Sequence, residues 1–416
     1  MKCLLFFLAL LSACTRAEVQ HEPLVSIQIQ DRNGLTETIS TPDRLKKFNA
    51  TDFLASQPFK KVIRVFKEQG KHTAKITSYH PNGQVWQYLE AQDMRALGAY
   101  REWHSNGRLK IEASVIGGTA DLATGAQRDW LFDGTAYVFD DQGHPSANIL
   151  YAKGALEGKS LYFHPHGGLH KELPYHENEL DGESTSFDSR GNPVAKMTYR
   201  KGVRQGVSMG FWADGKLCWT ETHEEGRLIE GRYLARDGQI ASEIHQGAGF
   251  QSLFEGGALC EQVEYRLGKP EGVVKRLSSS GATLGIHSIK NGKKQGEEIQ
   301  YDEQTLLPKL SISWEEDAIS GLVKTWYDSG ALQSQREFSH NKKMGPSIGW
   351  YRDGALMFIE EYEEDKLVKG DYFKKKQKNA ISTIVNGNGV ATLFDGQGVF
   401  LRKVHYAKGK PFDPEN

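Results

Sequence analysis

Cysteine is scarce in this chain, four in 416 residues at positions 3, 14, 218 and 260. So few thiols exclude a disulfide-dense scaffold, and no paired-Cys spacing of the structural zinc type occurs. Long apolar runs are as rare: after Leu4 to Leu11 none approaches the ~20 residues that a membrane-spanning helix needs. Neither sign of charge prevails, with 52 Lys and Arg against 53 Asp and Glu, so no global field would draw nucleic acid. Catalytic signatures are missing too. There is no G-x-S-x-G or H-E-x-x-H, and Asn386-Gly387-Asn388-Gly389 lacks the third Gly, the Lys and the following helix of a phosphate loop, which leaves it as a return turn. The expectation is a chain that is no enzyme, with no metal and no cofactor.

Glycine is what the chain has in quantity, 44 residues, and it recurs with a period. Turn-closing glycines stand at 83, 107, 143, 167, 191, 215, 238, 257, 281, 330, 354 and 398, with Thr305 and Asn379 at two further expected places. Four residues before each turn centre comes a large apolar residue: Tyr79, Trp103, Phe139, Phe163, Phe187, Phe211, Leu234, Leu253, Leu277, Tyr301, Trp326, Trp350 and Phe394. Most neighbours in this column lie 23 to 25 residues apart, the mark of one structural unit copied along the chain.

The unit can be read from its residues. Pro81-Asn82-Gly83 suits a three-residue hairpin loop, with Pro at the first central position of a type I turn and Gly in the left-handed region after it. Such a loop sets the position four before the Gly opposite the position two after it, where Val85, Leu109, Leu169, Leu217, Ile240, Leu259, Leu332 and Leu356 stand. Each such cross-strand pair is worth ~0.2–1 kcal/mol, and stacked hairpins would line them into an apolar stripe. Eight residues past the turn a second column follows, among it Tyr151, Tyr175, Tyr199, Tyr265 and Tyr362, and then a looser glycine-rich return such as Gly154 with Gly158.

The pattern aromatic-x-x-N-G-x-L…Y-x-x-G-x-x-x-G resembles the MORN-repeat variant of bacterial proteins over residues 69 to 410. Members of that group are often labelled antitoxin components, so the resemblance implies a repeat surface and, as an alternative function, neutralisation of a toxin. Repeats of this kind supply surfaces rather than chemistry.

At the amino terminus, Lys2 and the apolar run to Leu11 read as a secretory signal, and Leu11-Ser12-Ala13-Cys14 resembles the lipobox of bacterial lipoproteins. Cys14 would then be lipidated, with Thr15 after it where an Asp would favour inner-membrane retention; a lipid-anchored, outer-membrane envelope address is expected. The division is a signal peptide over 1–13, an N-terminal cap over 14–68, the repeat array over 69–410 and a tail over 411–416. Within the cap, a hairpin surrounds Asp31 to Gly34, and Thr41-Pro42-Asp43 has helix-start chemistry, with Thr as N-cap.

Two places break the period. Gly107 to Gly143 spans 36 residues, leaving an insert over 117–130, and Gly238 to Gly257 spans 19, which predicts a kink. Insertions in repeat arrays often mark the binding face, and Thr119, Asp121, Arg128 and Trp130 are the candidate binding residues there. The histidines at 164, 166 and 170 fit turn positions better than a metal site, because no acidic or Cys ligand has a matching spacing. Lys374-Lys375-Lys376 and Lys378 are expected to face the acidic residues 360 to 365 across strands. Cys218 and Cys260 occupy equivalent positions two units apart, too far for a disulfide.

The fold expected is all-β, an elongated array of antiparallel β-hairpin repeats, as a single-layer sheet or open solenoid, with a small mixed cap. The function expected is a non-enzymatic, lipid-anchored envelope scaffold or binding protein with a protein or glycan partner and no nucleic acid. A wall-polymer hydrolase with two distant carboxylates is a third alternative.

Overall fold

A computed structural model describes residues 24–68 and 70–413, which divide after Glu179 into two compact units. Cys14 lies outside the described residues. The fold is all-β: among the described residues there are 36 strands, one five-residue helix at Pro42–Lys46 and one 3-10 turn at Ala126–Asp129.

In the first unit the strands form an antiparallel meander. Leu24–Gln30 pairs with Thr36–Ile39 on one side and Lys61–Glu68 on the other, and Lys61–Glu68 then pairs with Lys71–Tyr79. Val85–Gln92, Arg95–Trp103, Leu109–Val115, Phe132–Phe139 and Pro145–Ala152 follow in turn. The cap thus continues the array, and its outermost strand is only four residues long, a common way of blunting an edge. The helix begins where Thr41 and Pro42 place it, but the Thr41 side chain makes no capping bond; its carbonyl accepts the amides of Arg44 and Leu45 instead. Leu45 is thereby turned inward against Ile27, Phe53, Tyr79 and Val85.

Loop length fixes the hairpin register as the sequence predicts. Tyr79 faces Val85, Trp103 faces Leu109, Phe211 faces Leu217 and Trp326 faces Leu332, each with a bulge beside the pair. At the first of these turns the amide of Gly83, φ 90°, donates to the His80 carbonyl at 2.9 Å. Three turns depart from the expectation. Gly256 and Gly257 both have positive φ and make a two-residue loop, so Phe254, not Leu253, faces Leu259, and Leu253 is left exposed. Near 305 and 379 the left-handed residues are Leu306 and Lys376 instead of Thr305 and Asn379.

The second unit repeats the meander, and its short repeat has a tight return turn. Strands Ile240–His245 and Ala248–Glu255 are joined by Gln246-Gly247 alone. Three return turns then meet: the Gly247 amide donates to Ile229, that of Leu228 to Gly268 and that of Gly268 to Gly247, at 2.8, 3.1 and 2.9 Å. Leu228, Tyr233 and Ile244 form a core beneath them. The same arrangement recurs where Gly387 donates to Val368, Leu367 to Gly409 and Gly409 to Gly387, over a core of Leu367, Tyr372 and Ile384. Cys218 and Cys260 carry free thiols, the first buried and the second partly exposed, each in the bulge beside its hairpin. The expected pairing of the lysine run with the acidic strand does not form among the described residues: Lys375 pairs with Asp353 at 3.2 Å, and Glu364 pairs with Lys342.

A candidate binding cleft

The insert folds as a lid-like loop against the first unit, held by its own polar groups. Thr119 donates through its amide and hydroxyl to Asp129, at 3.0 and 2.6 Å, and the Trp130 indole N–H donates to the Thr119 carbonyl at 2.8 Å. Trp130 is 4% exposed and meets Tyr100 and Phe132 edge-on, so it is a wedge in the core and presents no face to a ligand. Asp121 reaches Lys61 at 3.1 Å. Partial burial opposes its ionisation, but the Lys61 bond and the amides of Leu122 and Ala123 outweigh that and hold its carboxyl below the ordinary aspartate range. Arg128 is exposed and does not line the cleft. Of the four candidate residues, Asp121 alone stands beside the cleft; Thr119 and Trp130 fix the loop that forms one of its walls.

That cleft, about 640 Å³, lies between the cap and the first hairpin, with Leu122 and Ala123 of the insert completing it. Its size is within the roughly 300–1,000 Å³ usual for small-ligand sites. Tyr79, Pro81 and Trp86 supply apolar surface, and Arg32, Lys60 and Lys61 supply cations. Trp86 is 40% exposed and stacks on His80 with ring centroids 5.5 Å apart. His80 Nε2 lies 2.9 Å from the Trp103 carbonyl, which can only accept, so this nitrogen carries the proton and the ring is pinned. The Arg32 guanidinium donates to the His80 carbonyl at 3.0 Å. Among the described residues no Asp or Glu lines the cleft, and Ser78 is turned to Gln87 at 3.3 Å, so these residues hold neither a carboxylate pair nor a nucleophile–base contact. The lining offers an aromatic face and cations to a molecule that enters.

Hydrogen-bonded carboxylates sit elsewhere, one buried and one partly buried, in a pairing with tyrosines that the sequence did not single out. Glu221, 4% exposed, accepts from Tyr233 at 2.8 Å, Gln251 at 2.8 Å and Arg204 at 3.2 Å, and His223 Nε2 stands 3.8 Å away. Burial, then the Arg204 charge, push the His223 imidazole below its ordinary value of 6.5, with Glu221 opposing. Glu360 accepts from Tyr372 and Tyr362 at 2.8 and 3.1 Å. The signal that could have found these sites is a longer period, 139 residues from Glu221 to Glu360 and from Tyr233 to Tyr372. His164 and His170 lie with ring centroids 4.3 Å apart, and among the described residues no group of three His, Cys, Asp or Glu is placed to hold a metal ion. Nor is any helix of the described residues long and apolar enough to cross a membrane, which says nothing of strands.

No family model matches this chain, and no curated protein does. Among solved structures, a porin-like protein from Bacteroides uniformis ATCC 8492 is similar over 58% of this chain and 94% of its own length, at 12% identity and a TM-score of 0.13. At that score the two chains do not superimpose as whole folds.

Proposed function

We propose that this protein is a non-enzymatic, lipid-anchored binding protein of the bacterial envelope, built on repeats of the MORN-variant kind, that receives a protein or glycan partner in the cleft between its cap and its first hairpin. The observation that carries this reading is the cleft: an exposed aromatic residue with cations beside it and no carboxylate among the described residues that line it. The amino-terminal pattern ending in Leu11-Ser12-Ala13-Cys14 supports the envelope address.

Two experiments test the two halves. Replacing Cys14 by Ser is expected to move the protein from the membrane to the soluble envelope fraction and to remove the acyl mass; unchanged retention sinks the anchor. A photo-crosslinking residue at position 86 is expected to capture a partner in intact envelopes that the same probe at Val203, an exposed residue of the second unit, does not. Equal capture from both positions removes the cleft from the reading.

A further inference from the structure

The cleft has a charge pattern that narrows its ligand. Of its three cations, Lys61 is compensated by Asp121 at 3.1 Å. Arg32 and Lys60 have no ion-pair partner among the described residues, and Arg32 gives only one of its five N–H donors to the His80 carbonyl. Two uncompensated cations in a cleft that no carboxylate of the described residues lines call for an anion, and a guanidinium suits a carboxylate by its paired-donor geometry.

The aromatic surface sets the second requirement. Trp86 keeps 40% of its surface exposed, and the stacked, hydrogen-bonded imidazole supports the indole. The electron-rich face of an indole attracts the slightly positive C–H edge of a sugar ring, so a fixed, exposed Trp is a platform for a pyranose. A peptide would gain less. The strands that form the cleft, Leu24–Gln30, Lys61–Glu68 and Lys71–Tyr79, are each paired on both sides, so no free edge offers an extended peptide a ladder of main-chain hydrogen bonds.

We propose that the cleft takes an acidic oligosaccharide, one uronate-type sugar stacking on Trp86 with its carboxylate held by Arg32 and Lys60. This rests on the reading of the cleft as the protein's binding site and names the chemistry of what enters it. The test is calorimetric titration of the full chain with trigalacturonate, with galactotriose as its neutral counterpart and with hexaglutamate as an acidic peptide. Trigalacturonate is expected to bind, galactotriose at least tenfold more weakly, and hexaglutamate not at all. Trp86→Ala and Lys60→Glu, both at exposed positions, are each expected to weaken trigalacturonate at least tenfold while the thermal midpoint stays at the parent's value. Binding of galactotriose or hexaglutamate as tight as that of trigalacturonate overturns the inference, and so does no binding of trigalacturonate. If position 86 still captures an envelope partner in that case, the glycan assignment alone has failed; if it captures none, the cleft reading has failed with it.

Discussion

Gly202 and Gly247 share a backbone angle, φ +74°, and differ only in what surrounds them. A Cβ at Gly202 would meet nothing within 4 Å, whereas one at Gly247 would lie 2.5 Å from the backbone nitrogen of Gly268. Gly202→Ala should therefore cost only the left-handed conformation, roughly 1–2 kcal/mol. Gly247→Ala must also part the three return turns, and a loss of roughly 3 kcal/mol or more is expected once that core is opened. Urea unfolding midpoints of the two variants decide this, and equal midpoints would show that the turns do not depend on their close approach. His223 gives a prediction in pH. Its folded-state proton affinity lies below the ordinary value of 6.5 because burial and Arg204 disfavour the cation, so the unfolded chain binds the proton more readily. The stability this residue contributes is complete above pH 6.5 and is lost as the pH falls through its depressed folded value. Replacing His223 by Gln should flatten the stability profile in that acidic window, measured by unfolding at fixed pH. A slope unchanged from the parent's would assign the acid loss to other groups.

The hairpin was legible as an element because a three-residue loop leaves one register, and Tyr79 facing Val85 follows from the position of Gly83 alone. Where the loop changes by one residue the inference fails, as at Gly256-Gly257, since sequence spacing does not say which glycine turns the chain. The insert was legible as an interruption of the period, but the cleft was not. Its walls come from residues 30, 32, 60–61, 78–81, 86 and 122–123, which only the pairing of the cap with the first hairpin brings together. Trp130 shows the limit of reading a single side chain: an aromatic in an insert invites a ligand role, whereas this one is a wedge against Tyr100. Trp130→Ala should accordingly cost about 3–5 kcal/mol, the range for emptying an aromatic core site. Because Leu122 and Ala123 hang from the same loop, ligand affinity of the cleft should fall with it. Trp130→Phe, which retains a ring, should lose much less of both, and a variant that loses affinity without stability would mean that Trp130 touches the ligand after all.

At the scale of the chain the 24-residue period is nested in the longer one, and both copies lie in the second unit. The turn at Gly215 leads into Leu217–Glu224 as that at Gly354 leads into Leu356–Glu363, with Phe211 facing Leu217 and Trp350 facing Leu356. Both copies carry a short repeat with its three joined turns and a Glu that accepts a Tyr hydroxyl, buried in the first copy and partly buried in the second. In a repeat array stability is close to a sum over units and their neighbours. Removing residues 216–354 joins Gly215 to Ala355 and leaves every remaining strand beside a neighbour of the kind it had. The shortened protein should keep its strand content per residue by circular dichroism and unfold in a cooperative transition, with ligand binding in the first unit unchanged; an aggregated or unstructured product would show that the copies are not interchangeable. If they are, the number of modules is a quantity that heredity can alter in one event. Unequal exchange between the two copies would lengthen or shorten the descendant by a whole module, with no new junction to be selected, so the length of the second unit can evolve while the first stays as it is.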